Sequence, residues 1–485
     1  MKGFKKIYII VLSLLIFLAA SGYFLLDFYK DKIDKGTEYS ITVKFNSSDK
    51  TLDAEQEVIF TNEYDAPLKE VYFHIYPNAF KDKNSLPFLK EDMALAYPKG
   101  FKEGFLDLNK VYVNGNPANF EILGSDKTLL KILLPSELKP GEKIKLKMSY
   151  LVKIPPSMGR FGYGENTVNI TNWYPILSVY TQNGWDTHGY YRVGDPFYSD
   201  IADYSVIITL PKEYTVATTG VITRQKLYDN EKKVYIQAKR VRDFAMVLSD
   251  RFNVMEDKVG NVTVKSYSFD QEMGSIALKY AKDALKFFSD YIGEYPYRTY
   301  SVVAADFYIG GMEYPNLVLI DKNLYKKESQ FLLEYVIAHE TAHQWWYGIV
   351  GNDEVKEAWL DEGLTEYSTL LYIEKFYGKE AMNEIYDMFV KKEYELYKRK
   401  IRKNKLLRSL DEFGDWREYN AVIYDKAAMV FHDLRQKVGD DAFKKIIQSF
   451  YNDYKFKNAS TADFISVCEK VAGQKLREFF DERLN

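Results

Sequence analysis

A chain of 485 residues, 46% apolar and 16% aromatic, has material for large cores and length for about three domains, which excludes a disordered or fibrous protein. Its 66 basic residues against 69 acidic ones leave a net charge of −3, so there is no overall electrostatic case for a nucleic-acid partner. A single cysteine, Cys468, excludes an intramolecular disulfide framework and leaves the compartment undecided.

In chain order, residues 7–26 (IYIIVLSLLIFLAASGYFLL) carry no charge, and as a helix they are long enough to cross a hydrocarbon core of about 30 Å. The apolar run continues through Phe24, Leu25 and Leu26, beyond the Ala19-Ala20-Ser21 exit that a cleavable signal would use. An uncleaved anchor within residues 1–30 is expected. Lys2, Lys5 and Lys6 before it balance Lys30, Lys32 and Lys35 after it, so charge leaves the orientation open. An extracytoplasmic catalytic part is the expectation, because most such N-terminal segments export the chain beyond them.

From Tyr39 to Val254 short alternating runs such as SITVKF, VYFHIY and KIKLKMSYLV are separated by turns such as Asn114-Gly115 and Pro140-Gly141. Period-two patterning of this kind predicts antiparallel sheet, a β saddle or sandwich domain over 36–255. The texture then changes, and 256–485 reads as a mixed α/β domain. An amphipathic helix stops at Gly293, strands follow at Tyr300–Phe307 and Leu317–Ile320, and the chain beyond Gly378 is mostly helical. That helical part includes 391–408, where nine basic residues face two acidic ones, read as a solvated helix face.

The chemistry is concentrated in HETAHQWW and WLDEGLTEY. His339 and His343 stand four apart, so on a helix they share one face and can offer imidazole nitrogens to one ion. Glu340 follows the first ligand, the general-base position of the H-E-x-x-H pattern. Eighteen residues after His343 comes Glu362, on a second helix over 357–376, with Gly348 and Gly351 ending the first. A bare H-E-x-x-H arises by chance on helix surfaces. Only five histidines exist in the chain, and two at ligand spacing around a Glu, followed by an acidic helix, point to one zinc ion held by His339, His343 and Glu362 with its fourth position open for catalysis. Glu366, one turn beyond Glu362, is placed to hold a ligand imidazole, or is a solvated helix-face Glu.

These motifs resemble the gluzincin zinc aminopeptidases, the family of aminopeptidase N and leukotriene hydrolase. The resemblance covers about residues 40–480 and is strongest over 305–430. It implies a multidomain α+β protein with an N-terminal membrane helix, an antiparallel β domain and a thermolysin-like catalytic domain. It also implies a short form without the long helical C-terminal domain that relatives often add. Gly310-Gly311-Met312-Glu313 resembles the family's G-x-M-E-N segment, which implies substrate binding by Gly310, Gly311, Met312 and Glu313, with Glu313 on the peptide's α-ammonium. Tyr314 stands where the family has Asn. Tyr424-Asp425-Lys426 resembles the segment carrying the transition-state tyrosine, with Tyr419 the next candidate. For the family's amine-binding Gln or Glu in the N-terminal domain the sequence selects no residue; Gln182 is a candidate that stays outside the site set.

The expected activity is a membrane-anchored zinc aminopeptidase acting on peptides with a free N-terminus, with no nucleic-acid partner and with oligomeric state left open. A zinc endopeptidase of the same fold, or a silent peptide-binding surface protein, are the alternatives that the residues also allow.

Overall fold

The computed structural model describes residues 36–485. The apolar run at 7–26 lies outside them, and among the described residues no helix is long and apolar enough to cross a membrane.

Strand Thr37–Asn46 shows why the first domain forms: Tyr39, Ile41, Val43 and Phe45 are buried while their neighbours are not, the inward/outward alternation of a half-buried strand. It lies within an eight-stranded sheet ordered Val221–Leu227, Glu231–Val241, Ala202–Pro211, Thr37–Asn46, Thr51–Thr61, Lys143–Lys153, Phe105–Val113 and Asn116–Pro117. Two four-stranded sheets share its core. The antiparallel expectation holds in this sheet with one exception. Thr37–Asn46 pairs in parallel with Ala202–Pro211, Tyr39 opposite Tyr204. Residue alternation specifies a strand's faces and not its direction, and this pairing closes through the long chain path between the two strands.

The second domain is built on a five-stranded sheet ordered Asn253–Val259, Val262–Ser268, Thr299–Ala305, Leu317–Asp321 and Gly311–Met312. The change of domain therefore falls between Ser249 and Asn253, slightly before the expected 255/256 boundary. Alternation along Leu317–Asp321 sends Leu317 and Leu319 into the core shared with the β domain and Val318 and Ile320 into the helical core, so this sheet is the partition between the two. Arg242, 1% exposed, fastens the domains. Its guanidinium donates to Tyr347 O (2.7 Å), Ser199 O (2.7 Å) and Lys457 O (2.9 Å). Gly351 is required here, since a Cβ would come 2.2 Å from Arg242 Cζ.

Four long helices carry or support the cleft: α1 (Gln271–Tyr291), α2 (Gln330–Ala342), α3 (Glu354–Tyr377) and α4 (Ala427–Val438). Helix α2 ends at Ala342 with His343 as its cap, not at Gly348 or Gly351 as the sequence suggests. The two tryptophans beyond His343 draw the chain away, Trp345 Nε1 donating to Gly293 O (2.8 Å) and Trp346 Nε1 to Ser368 Oγ (3.0 Å). The basic run 391–408 also departs from expectation, because helix persists only to Lys400. Beyond it the buried Arg408 Nη1 and, from the surface, Arg402 Nη2 reach the buried Glu418 (both 3.1 Å), and these contacts take the place of a continued helix of like charges.

Candidate active site

Helix α2 brings His339 and Glu340 to the cleft floor and caps with His343. Helix α3, started by the Asp353 carboxylate accepting from Lys356 N (3.1 Å), bends at non-helical Glu357 and carries Glu362 opposite. His339 Nε2 and His343 Nε2 are 3.2 Å apart. Glu362 Oε2 is 3.5 Å from the first and 3.2 Å from the second. A tetrahedral ion with bonds of about 2.0–2.1 Å separates its ligand atoms by about 3.3–3.4 Å, so three donors already stand at the spacing of a zinc ligand set. Glu362 Oε2 is buried without a hydrogen-bond donor of its own, a costly arrangement that a cation would relieve.

The far sides of both imidazoles are held. His339 Nδ1 meets Glu366 Oε2 at 3.1 Å, with Tyr335 hydrogen-bonding the other Glu366 oxygen. His343 Nδ1 meets Asp361 Oδ1 at 2.9 Å. These contacts fix which nitrogen faces the ion position. Burial pushes against charge throughout the site, and the groups' mutual charges decide the outcome. Despite burial, the neighbouring Glu362 and Glu366 carboxylates raise His339 to about 10, and Asp361, Glu313 and Glu362 hold His343 well above its ordinary value. Burial likewise opposes ionisation of Glu362, yet the two histidines hold it below the usual carboxylate range. A pocket whose carboxylates favour positive charge at two imidazoles is one that suits a divalent cation. Glu340 differs, since burial dominates and lifts it to about 7, the range suited to taking and returning a proton at neutral pH.

A second group, His74, Asp186 and His188, also has three donor atoms close together. Its imidazoles overlap face against face, with centroids 4.4 Å apart and planes 31° apart, so their in-plane lone pairs do not converge. His188 spends its nitrogens on Asp186 and on Pro196 O.

Gly310 and Gly311 pass beside Glu340. Gly310 has φ 104°, a backbone conformation that favours glycine. A Cβ on Gly311 would lie 2.1 Å from Glu340 Oε1. Strand alternation then turns Gly311 and Glu313 toward the cleft and Met312 away. Met312 is therefore a correction to the substrate-binding set: it is 1% exposed, and its Sδ accepts from Arg160 Nε at 3.1 Å. Glu313 is 4% exposed, its Oε1 has no hydrogen-bond partner, and burial raises its carboxyl well above the ordinary value. Tyr314, the departure from the family pattern, is buried with its hydroxyl within hydrogen-bond distance of Thr171 Oγ1 (2.8 Å) and Asn172 Oδ1 (3.0 Å), so it ties this strand to the β domain. Gln344 completes the brace, accepting from Asn316 N (2.8 Å) and donating to Tyr314 O (3.2 Å).

Tyr424 stands in a π-helical segment, Asn420–Lys426, just ahead of α4, a widening that recurs at functional sites. Its hydroxyl donates to Glu362 Oε1 at 2.6 Å and its ring stacks on His339. Tyr419 is buried behind it, 5.8 Å ring to ring. The cleft, about 700 Å³, is lined by His339, Glu340, His343, Glu362, Gly310, Gly311, Glu313 and Tyr424. The β domain adds Asp92, Arg160 and Asp195 to the wall, none of which sequence reasoning selected. Gln182 is absent from it and sits exposed at the tip of the Tyr180–Trp185 hairpin.

Residues 276–482 match the peptidase family M1 domain. That stretch carries the zinc-ligand residues and is similar to the catalytic part of such peptidases. Among curated relatives, Aminopeptidase M1-C of Oryza sativa subsp. japonica is 23% identical over 294 residues, 57% of this chain and 33% of the relative. Aminopeptidase N of Haemonchus contortus is 22% identical over 408 residues, 75% of this chain and 40% of the relative. The chain thus spans well under half the length of these relatives. An M1 zinc metallopeptidase from Deinococcus radiodurans shares the fold, with TM-score 0.64 and 17% identity over 93% of this chain and 94% of that one. A mutant of that protein has been solved with a Tyr-Ser-Ala substrate, at TM-score 0.65, 17% identity and 93% of this chain. The M1 match includes all nine residues selected from sequence and excludes Asp92, Arg160 and Asp195.

Proposed function

We propose that this protein is a zinc aminopeptidase that removes N-terminal residues from peptides. The observation that carries the reading is one juxtaposition: a buried carboxylate, Glu313, with an unpartnered oxygen faces the same cleft as a three-donor set at zinc-ligand spacing. A zinc ion held by His339, His343 and Glu362 would supply Lewis-acid polarisation of the scissile carbonyl and an acidified water. Glu313 pairs with the α-ammonium and sets the first residue's carbonyl over the ligand set. Glu340 takes a proton from the attacking water and returns it to the leaving amine. The Tyr424 hydroxyl donates to the carbonyl oxygen as negative charge develops there. Asp361 and Glu366 orient the histidines and do not touch substrate.

Stripping the protein of metal is expected to abolish hydrolysis of aminoacyl amides, and zinc to restore it; full activity in metal-free protein overturns the reading. Tyr424→Phe keeps the ring that stacks on His339 and removes one donor, so kcat is expected to fall about 10²–10³-fold with KM little changed. Activity within about threefold of wild type would transfer the role to Tyr419.

The uncharged run at 7–26 supports a further part of the proposal, an anchored protein whose catalytic domains lie outside the cytoplasm. Protein lacking residues 1–30 is expected to leave the membrane fraction while keeping its activity. Persistent membrane association at high salt would place the attachment elsewhere.

A further inference from the structure

The cleft wall holds one carboxylate with a buried, unpartnered oxygen that the chemistry does not use. Asp92 lies in the β-domain segment that leads into the short helix Met93–Ala96 and lines the same cleft as Glu313. Phe88, on the same segment, packs against Tyr308 with ring centroids 6.2 Å apart, which brings this segment against the loop that leads into Gly310. Asp92 is also the foremost charge acting on Tyr308. Its Oδ2 is buried and has no hydrogen-bond partner, so the carboxylate does not cap its own helix. Burial raises the Asp92 carboxyl, with Glu91 adding to the rise and the Trp416 indole opposing it. Unsatisfied buried carboxylate oxygens are costly and ordinarily have a partner.

The charges around it point to what that partner is. Arg160, the one arginine lining the cleft among the described residues, is already committed to Asp195 and to Met312 Sδ. Apart from Glu340 and Glu362, which the chemistry uses, Glu313 and Asp92 are the cleft carboxylates, among the described residues, with a buried oxygen that has no hydrogen-bond partner. Glu313 is matched by the amine of any peptide, and Asp92 by nothing that all peptides share. When the ammonium is at Glu313 and the scissile carbonyl is between Glu340 and Tyr424, the group free to reach Asp92 is the first residue's side chain. Tyr308 and Trp416, which also line the cleft, offer faces for the methylene stem and head of a long cationic side chain.

Resting on the aminopeptidase reading, we infer that Asp92 is a specificity residue that selects peptides beginning with arginine or lysine. The preference arises from charge and not from size. Citrulline has nearly the shape of arginine and no charge, so it separates the two.

The test compares kcat/KM for arginyl, lysyl, citrullyl and leucyl amides with wild type and Asp92→Asn, both zinc-loaded. Wild type is expected to favour the arginyl amide over the citrullyl amide by about ten- to hundredfold, the range for a hydrogen bond to a charged group. Asp92→Asn is expected to erase that difference and leave the leucyl amide within about twofold. Equal wild-type rates on the arginyl and citrullyl amides overturn the inference, as does a variant that loses arginyl and leucyl hydrolysis alike. Either result leaves the aminopeptidase reading intact. Cleavage of none of the four amides overturns both. Equilibrium binding of L-argininamide against L-citrullinamide to zinc-loaded Glu340→Gln protein gives a second readout free of turnover: the same preference is expected, and its absence counts against Asp92.

Discussion

Glu340→Gln is expected to retain one zinc per chain and to lose about 10²–10⁴-fold in kcat, the share ordinarily supplied by a positioned acid–base group. The substitution keeps the shape of the side chain and removes no ligand, because the donor set is His339, His343 and Glu362. Glu340 is 5% exposed, with Oε2 unpartnered, and Gly311 passes so close that no side chain could stand between them. Its only evident use is toward a bound molecule. Metal analysis and kcat measured on the same sample decide the matter. Substantial turnover with full zinc occupancy would require a different proton carrier, and loss of zinc would mean that Glu340 supports the ligand set.

Glu313→Ala is expected to lower kcat/KM on free peptides by about 2–5 kcal/mol, the cost of leaving one partner of a buried charge pair alone. At about 1.4 kcal/mol per factor of ten, that is between about thirty- and a few thousand-fold. N-acetylated peptides carry no ammonium, so they should be poor substrates for wild type and lose little more in the variant. A uniform loss on free and acetylated peptides would mean that Glu313 serves the ligand set, through the charge it places near His343, and not the substrate's amine.

The parts of this site that depend on local spacing were legible in the sequence. His339 and His343 are a helical turn apart, and Glu362 follows on a helix whose acidic residues stand out. Glu366 was within reach of the same reasoning, and it lies at the His339 ring. Asp361 was not singled out, although it is adjacent to Glu362. Whether it meets His343 depends on the phase of α3 past the bend at Glu357, which no spacing rule gives.

Met312 illustrates the opposite error. A motif is read as a block, but a strand divides it between two faces, and Met312 falls on the wall side with Arg160. Arg160, Asp195 and Asp92 reach the cleft from more than 100 residues before the zinc helix, on loops without periodicity, so nothing in the linear sequence announces them. The basic run at 391–408 looked helical because its composition suits a helix. Its last part leaves the helix to pair with Glu418, a partner that exists only in the folded chain. The β domain was legible as strands, since alternation along Thr37–Asn46 and its neighbours reports burial directly, while the parallel pairing of that strand with Ala202–Pro211 carries no local mark.

The central claim is that hydrolysis begins at a free amino end. It is tested most directly by incubating the zinc-loaded protein with an unblocked peptide of about ten residues and tracking the products by mass spectrometry. The expected result is a ladder of peptides shortened one residue at a time from the N-terminus, with single amino acids released and no ladder from the N-acetylated twin. Internal fragments from both peptides, with no stepwise loss, would contradict the aminopeptidase account and leave a zinc endopeptidase in its place.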